Sequence, residues 1–134
     1  MSFLKLYAIS AVVFFAVDFV WLTRLARPFY RQHLGHLLAE TPILWAAGLF
    51  YLIYIAGIVV FAVLPGLEAK SLGGTLARGA FLGLFAYATF DLTALALLEG
   101  FPVRVAVVDL IWGTVLTGTV SAAAYGAARW LGIA

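Results

Sequence analysis

Long apolar segments separated by short polar ones make up almost the whole chain. They cover approximately residues 3–25, 43–64, 79–98 and 103–130. A helix rises about 1.5 Å per residue, so about 20 residues cross the hydrocarbon core of a bilayer. The pattern predicts an all-α integral membrane protein, a four-helix bundle in a single domain over residues 1–134. A transmembrane β-barrel would instead show alternating segments of about ten residues.

The first apolar segment shares one feature with a secretory signal peptide, because Lys5 precedes its apolar run. The run is longer than a signal-peptide core, contains Asp18 and lacks a small-x-small cleavage site. These features favour a transmembrane helix.

The most polar stretch, residues 24–40, lies between the first two spans. It contains three arginines and two histidines. Pro28 suits the first turn of a helix. The apolar residues after it recur at helical spacing: Phe29, Tyr30, Leu34, Leu37 and Leu38. This pattern predicts a short amphipathic helix that lies in the membrane interface.

The connections between the later spans carry turn residues. Pro65 and Gly66 are predicted to end the second span, and residues 67–78 are predicted to form a polar loop in which Gly73 and Gly74 make a turn. Phe101 and Pro102 predict a tight turn before the fourth span.

Composition agrees with a lipid environment and excludes several function classes. Hydrophobic residues make up 66% of the chain and charged residues 10%, where a soluble domain has about 25% charged residues. The chain has no cysteine, which excludes disulfides, thiolate metal sites and thiol nucleophiles. The net charge is +2 and no basic cluster occurs, so nucleic-acid binding is not expected. No phosphate-binding glycine loop or zinc motif is present, and no cofactor is expected.

The orientation in the membrane is not decided by charge. Four spans place both termini on one side; we call the opposite side, where the first and third connections lie, side B. Basic residues divide four against four, with Arg24, Arg27, Arg31 and Arg104 at side B and Lys5, Lys70, Arg78 and Arg129 at the other side. The positive-inside rule therefore gives no answer, although the density of arginines in the first connection favours a cytoplasmic side B.

Three aspartates interrupt the apolar segments. Asp18 and Asp91 each lie about seven residues before their helix reaches side B, and Asp109 lies about six residues into the fourth span from side B. At about 1.5 Å per residue all three lie about 10 Å below the same surface. Acids inside a membrane are costly and mark functional positions by default. We expect them to share one polar pocket and take them as the candidate catalytic residues.

Aromatic and hydroxyl side chains accompany these acids at helical spacing. Asp18 and Asp109 are each followed three residues later by a tryptophan, one turn away on the same helix face. The candidate binding residues are Trp21, Tyr51, Tyr54, Tyr87, Thr89, Thr93, Trp112 and Thr114. The alternative interpretation is structural, with the tryptophans as interface anchors and the aspartates as hydrogen-bonded pins between helices.

Two weaker patterns have mainly structural interpretations. His33 and His36 with Glu40 have a spacing compatible with a metal ion, but a lone His-x-x-His in a polar stretch is a weak signal. The fourth span also carries a row of small residues, which we interpret as a packing surface for a neighbouring helix: Gly113, Thr114, Thr117, Gly118, Ser121 and Ala122.

Several motifs resemble a bacterial family of small membrane proteins catalogued as domain of unknown function 2177. They are Phe-Tyr-Arg…Leu-Gly-His-Leu at 29–37, Phe-Tyr-Leu-x-Tyr-x-Ala-Gly at 50–57, Gly-Leu-Phe-Ala-Tyr-Ala-Thr-Phe-Asp-Leu-Thr at 83–93 and Val-Val-Asp-Leu-Ile-Trp-Gly-Thr-Val-Leu at 107–116. The resemblance covers nearly the whole chain. It implies a four-helix bacterial membrane protein and supplies no activity. The positions that it marks are Asp18, Trp21, Tyr54, Tyr87, Asp91, Thr93, Asp109, Trp112 and Gly113.

Three functions fit these observations. The leading hypothesis is a multi-pass protein of the bacterial inner membrane whose three-aspartate pocket binds, and as an enzyme would modify, a lipid or other amphiphile. The second is a proton- or cation-coupled transporter or channel, which would need a homo-oligomer because four helices make a thin pore. The third is a structural or interaction subunit of a membrane complex. Membrane lipids are the expected partners.

Overall fold

Helices account for the architecture of the protein in a computed structural model, which describes residues 3–21, 23–24, 27–35 and 43–132. The helices are α1 Phe3–Trp21, α2 Arg27–Leu34, α3 Leu44–Ile58, α4 Leu64–Ala69, α5 Leu72–Leu97 and α6 Val103–Trp130. Four stretches are long and apolar enough to cross a membrane: Phe3–Trp21, Leu44–Ala69, Leu72–Leu97 and Val103–Trp130. The predicted four-helix membrane bundle is confirmed.

The outward faces of the spans are apolar. Large hydrophobic side chains are exposed on each of them, among them Phe15, Leu52, Phe81 and Ile111. A soluble monomer rarely exposes apolar surface on this scale. The four-helix bundle is therefore built to be surrounded by lipid.

The connection between the second and third spans is much shorter than predicted. The sequence suggests a loop over residues 67–78, whereas α4 continues to Ala69 and α5 begins at Leu72. Lys70 takes the left-handed conformation, with φ 53°, and the Ser71 hydroxyl caps α5 by accepting the Gly74 N–H at 2.9 Å. Gly73 and Gly74 thus lie inside the first turn of α5. Pro65 likewise does not end the span, because it lies in the first turn of α4 directly after the irregular turn at Val59–Val63.

A wide turn interrupts the second span. Residues Val59–Val63 form a π-helix, and the Leu64 N–H donates to the carbonyl of Val59, five residues back. Pro65 follows directly; its ring would crowd a regular preceding turn, and such irregularities accommodate a proline.

Small residues bring α5 and α6 into the most extensive helix pair of the bundle. Gly79 and Gly83 are buried on α5 and face Gly113, Thr117 and Ser121 of α6. A methyl group on Gly83 would collide with the carbonyl oxygen of Gly113. The row of small residues on the fourth span therefore serves packing within the chain, as predicted.

The amphipathic helix predicted after the first span is present as α2, while Leu37 and Leu38 of the predicted pattern lie outside the described residues. Arg31 and Gln32 are exposed, while Phe29, Tyr30 and Leu34 are half-buried. These three apolar side chains pack against a cluster at the side-B ends of α5 and α6, formed by Ala94, Phe101, Val105 and Ala106. Helix α2 therefore covers that end of the bundle.

Candidate functional site

Asp18 and Asp109 line one cavity of about 320 Å³ near side B. Helices α1, α2, α3, α5 and α6 all contribute to it. We call it the polar cavity, and its lining residues are Asp18, Trp21, Tyr30, Leu34, Phe50, Tyr51, Tyr87, Asp109 and Trp112. The equal depth that residue counting gives to these two acids thus corresponds to a shared space.

Asp18 is buried and supplied with hydrogen-bond donors. Its side chain is 7% exposed. The Tyr51 hydroxyl of α3 donates to Oδ2 of Asp18 at 3.2 Å, and the Trp112 side chain of α6 is a further polar neighbour of this carboxylate. Asp18 therefore links α1 to two other helices while one side of it faces the cavity.

Asp109 is also buried, but within the described part of the chain it has fewer hydrogen-bond donors than Asp18. Its side chain is 9% exposed, and among the described residues its Oδ1 has no hydrogen-bond partner. A buried acceptor without a donor costs about 1–3 kcal/mol. Since Asp109 lines the polar cavity, a ligand there is in position to satisfy it.

The two tryptophans that follow these acids form one wall of the cavity. The rings of Trp21 and Trp112 stack with centroids 4.3 Å apart and an interplanar angle of 9°. Helices α1 and α6 run in opposite directions, so Trp21 lies one turn nearer side B than Asp18, whereas Trp112 lies one turn farther from side B than Asp109. An offset stack of this kind adds about 0.5–1.5 kcal/mol beyond the burial of its area.

Asp91 does not line the polar cavity. It is 0% exposed, and neither of its carboxylate oxygens has a hydrogen-bond partner among the described residues. Tyr87, one turn earlier on α5, interacts electrostatically with both Asp18 and Asp91. Tyr87 lines the polar cavity, and Asp91 lies one turn farther along α5.

The other hydroxyl residues that the sequence predicts as binding residues lie outside the polar cavity, and most of them form hydrogen bonds within the protein. Tyr54 is buried and shares a hydrogen bond of 2.6 Å with Thr117. Thr89 and Thr114 donate to the carbonyls of Phe85 and Leu110 on their own helices, each at 2.7 Å. Thr93 is exposed. Because a helical threonine can bond to the carbonyl four residues back, it needs no ligand to be stable in an apolar span.

Three residues that line the polar cavity were not predicted as site residues. Tyr30 and Leu34 come from the apolar face of α2, and Phe50 precedes Tyr51 on α3. An apolar face on an interfacial helix is expected to meet lipid, and only the packing of α2 against α5 and α6 turns it toward the cavity. The signal available in the sequence was the periodicity of residues 29–34.

Two apolar crevices and one that includes an acid adjoin the polar cavity. One of about 440 Å³ is lined by Ala16, Val17, Val20, Trp21 and Trp112. A second of about 220 Å³ shares the tryptophan pair and adds Val108, Ile111 and Val115. A third, of about 270 Å³, is lined by Phe50, Ala86, Tyr87, Phe90 and Asp109. We call the first of these the α1 crevice.

The structure describes only His33 of the three residues in the possible metal-binding pattern. His36 and Glu40 lie outside the described residues. The His33 ring is tilted by 31° against the Phe29 ring with centroids 4.4 Å apart, and its Nδ1 lies 3.0 Å from the Phe29 carbonyl oxygen. Within the described residues no group of three His, Cys, Asp or Glu side chains is arranged to hold a metal ion.

Comparison with known proteins identifies a family and nothing closer. A family model described as a predicted membrane protein, DUF2177, matches residues 3–126. A search of curated proteins and of solved structures returned no match.

Proposed function

The chain belongs to the DUF2177 family of predicted membrane proteins, and from that premise we propose that it binds a membrane amphiphile at side B. The polar cavity takes the head group, and the adjoining apolar crevices take the hydrocarbon chain. We place the protein in the inner membrane of a bacterium.

The observation that carries this proposal is the shared tryptophan wall. Trp21 and Trp112 line the polar cavity and also the α1 crevice. A molecule that lies across the pair would meet carboxylates on one side and only apolar side chains on the other. Binding sites for amphiphiles combine an apolar surface with a few convergent polar groups in this way.

The lining groups also suit proton transfer to a bound molecule. Asp18, Asp109, Tyr51 and Tyr87 place two carboxyl and two phenol groups around one space. Such groups act as general acids or bases when a substrate lies within hydrogen-bond reach. Chemical modification of the bound amphiphile is therefore the enzymatic form of the proposal.

The test uses the tryptophan pair as the reporter. Trp45 and Trp130 are 76% and 85% exposed, so a Trp45→Phe/Trp130→Phe background leaves Trp21 and Trp112 as the emitting residues. In this background the protein is placed in vesicles that contain a small fraction of phospholipid brominated on its chains. Bound lipid should quench the fluorescence more strongly than random mixing of the lipids allows.

Replacing each of two alanines of α1 by phenylalanine tests where the hydrocarbon chain of the bound lipid lies. Ala16→Phe fills the α1 crevice, and Ala8→Phe adds the same ring to an exposed position two turns earlier on α1. We expect Ala16→Phe to reduce the excess quenching severalfold and Ala8→Phe to leave it unchanged. Quenching at the random level in the unmodified protein, or equal quenching in the two variants, contradicts the proposal.

Asp91 favours ion coupling as a second candidate function. A fully buried carboxyl group without a hydrogen-bond partner in the described residues is typical of proton relays in membranes. Proton flux into liposomes that is lost in Asp91→Asn would support it, and flux equal to that of protein-free liposomes excludes it.

A further inference from the structure

We propose that the polar cavity selects amphiphiles whose head group carries an ammonium group. The inference rests on the proposed binding of an amphiphile at side B and specifies its chemical class. It comes from the charge, hydrogen-bonding state and aromatic content of the cavity lining.

The charge of the lining is one-sided. Its nine lining residues in the described part of the chain include two carboxyl groups, those of Asp18 and Asp109, and no lysine, arginine or histidine. Buried carboxylates need a compensating charge or hydrogen bonds. An anionic head group would add repulsion to this space, whereas a cation supplies the charge that the lining lacks.

Asp109 points to the hydrogen-bonding character of the ligand. Asp18 already accepts a hydrogen bond from Tyr51, while Oδ1 of Asp109 has no donor among the described residues and lines the same cavity. A ligand that donates a hydrogen bond to Oδ1 of Asp109 would therefore be favoured. A primary ammonium group provides three N–H donors and one positive charge at a single nitrogen.

The aromatic lining favours the same ligand. Six of the lining residues are aromatic: Trp21, Tyr30, Phe50, Tyr51, Tyr87 and Trp112. Ring faces attract a desolvated ammonium group by about 2 kcal/mol in favourable cases. Carboxylates combined with aromatic rings form a site for an organic cation, and the volume of about 320 Å³ accommodates a small head group with some water.

The ammonium group could belong to a lipid or to a free amine, and the experiment separates these sources. The Trp45→Phe/Trp130→Phe protein is titrated with brominated phosphatidylethanolamine and, separately, with phosphatidylglycerol of identical brominated chains. Both lipids carry a phosphate, so they differ in the ammonium group of one and the two glycerol hydroxyls of the other. Soluble ethylammonium chloride is then added as a competitor without a chain.

We expect phosphatidylethanolamine to bind about tenfold more tightly than phosphatidylglycerol, since one charge-assisted hydrogen bond is worth at least that ratio. Asp109→Asn should reduce the preference to about twofold. Glu99→Gln is the matched control, because Glu99 is an exposed acid at the same end of the bundle and does not line the cavity; it should keep the tenfold preference.

The outcomes separate this inference from the proposed function. Equal binding of both lipids by the unmodified protein overturns the inference and leaves amphiphile binding intact, whereas random-level quenching by both lipids removes both. Ethylammonium that displaces the lipid at equal concentration would assign the cavity to a free amine and overturn the lipid source. The comparison of head groups in the unmodified protein remains decisive if Asp109→Asn does not fold.

Discussion

The two halves of the bundle differ in their buried acids, although hydroxyl side chains bond to carbonyls of their own chain segment in both. Toward the side of the termini, the hydroxyls of Thr75 and Ser121 donate to backbone carbonyls of their own chain segment at 2.7 Å, and helices α5 and α6 touch through glycines. Toward side B, Asp91 and Asp109 keep carboxylate oxygens without partners among the described residues. Ser10, whose hydroxyl also lacks a described partner, is an exception in the middle of α1.

This difference distinguishes polar side chains that serve helix packing from acids to which we assign a proposed function. Small hydroxyl residues allow close backbone approach and satisfy themselves within one turn, so they cost little in lipid. An unpartnered acid costs much more, and we propose that a bound ligand or ion offsets this cost. The four predictions that follow test this contrast, from the largest expected effect to the smallest.

Gly83→Ala should be the most damaging small change in the tightly packed half. Its methyl group would meet the Gly113 carbonyl, which is backbone and cannot turn aside. We expect a loss of about 3 kcal/mol, the upper end for overpacking, in the free energy of unfolding in detergent. Gly57→Ala is the control, because a methyl there meets nothing within 4 Å; it should leave stability equal or higher by up to about 1 kcal/mol. Equal losses in both variants would contradict the close packing of α5 on α6.

Tyr51→Phe should affect both stability and binding. It removes the donor to Asp18 at 3.2 Å, and a hydrogen bond to a charged group contributes about 1.5–3 kcal/mol. Tyr7→Phe is the matched change, since Tyr7 also joins α1 to α3, by donating to the Leu52 carbonyl at 2.9 Å in an exposed position. Thermal unfolding and lipid quenching should both change in Tyr51→Phe, and quenching should stay the same in Tyr7→Phe. A Tyr51→Phe protein with unaltered quenching would remove Tyr51 from the proposed site.

Tyr54→Phe should affect stability alone. The hydrogen bond of Tyr54 to Thr117 is buried, and bonds between membrane helices contribute about 0.6 kcal/mol on average and about 1.7 at most. Neither residue lines the polar cavity. Lipid quenching should therefore match that of the unmodified protein, and a change in head-group preference would show that the two halves are coupled.

Asp91→Asn should have the smallest effect on stability, below about 1 kcal/mol, because no hydrogen bond within the described residues is lost. Chemical unfolding of the two proteins in the same detergent measures the difference. A loss above about 3 kcal/mol would mean that the carboxylate is paired with a charge, as expected for a bound cation.

Positions along the membrane normal could be predicted from the sequence, whereas rotation about each helix axis could not. Hydropathy and residue counting locate the spans and place the acids near side B, because rise per residue is constant. Whether Asp91 turns toward the cavity depends on how α5 packs on α6, which the glycines at 79, 83 and 113 determine. That contact joins residues distant in sequence, so no local pattern reports it.

The remaining differences have the same origin. Residues 67–78 have the composition of a loop, but Gly66 packs directly against Thr75. This contact keeps α4 and α5 close together, so the turn between them has only two residues. Tyr30, Leu34 and Phe50 line the polar cavity only because α2 rests on the ends of α5 and α6. Tertiary packing decides each of these positions.

The π-helix in the second span has a consequence for the register of that helix. Its buried residues come in pairs exactly four apart, at 54–55, 58–59, 62–63 and 66–67. In a regular α-helix a step of four overshoots one turn by about 40°, so three steps would rotate the buried face by about 120°. One extra residue held in the wide turn reduces that drift to about 20°. Deleting a single residue from 59–63 would thus yield a regular helix that still presents Gly66 to Thr75, whereas winding all of these residues into a regular helix would rotate Gly66 by about 100°.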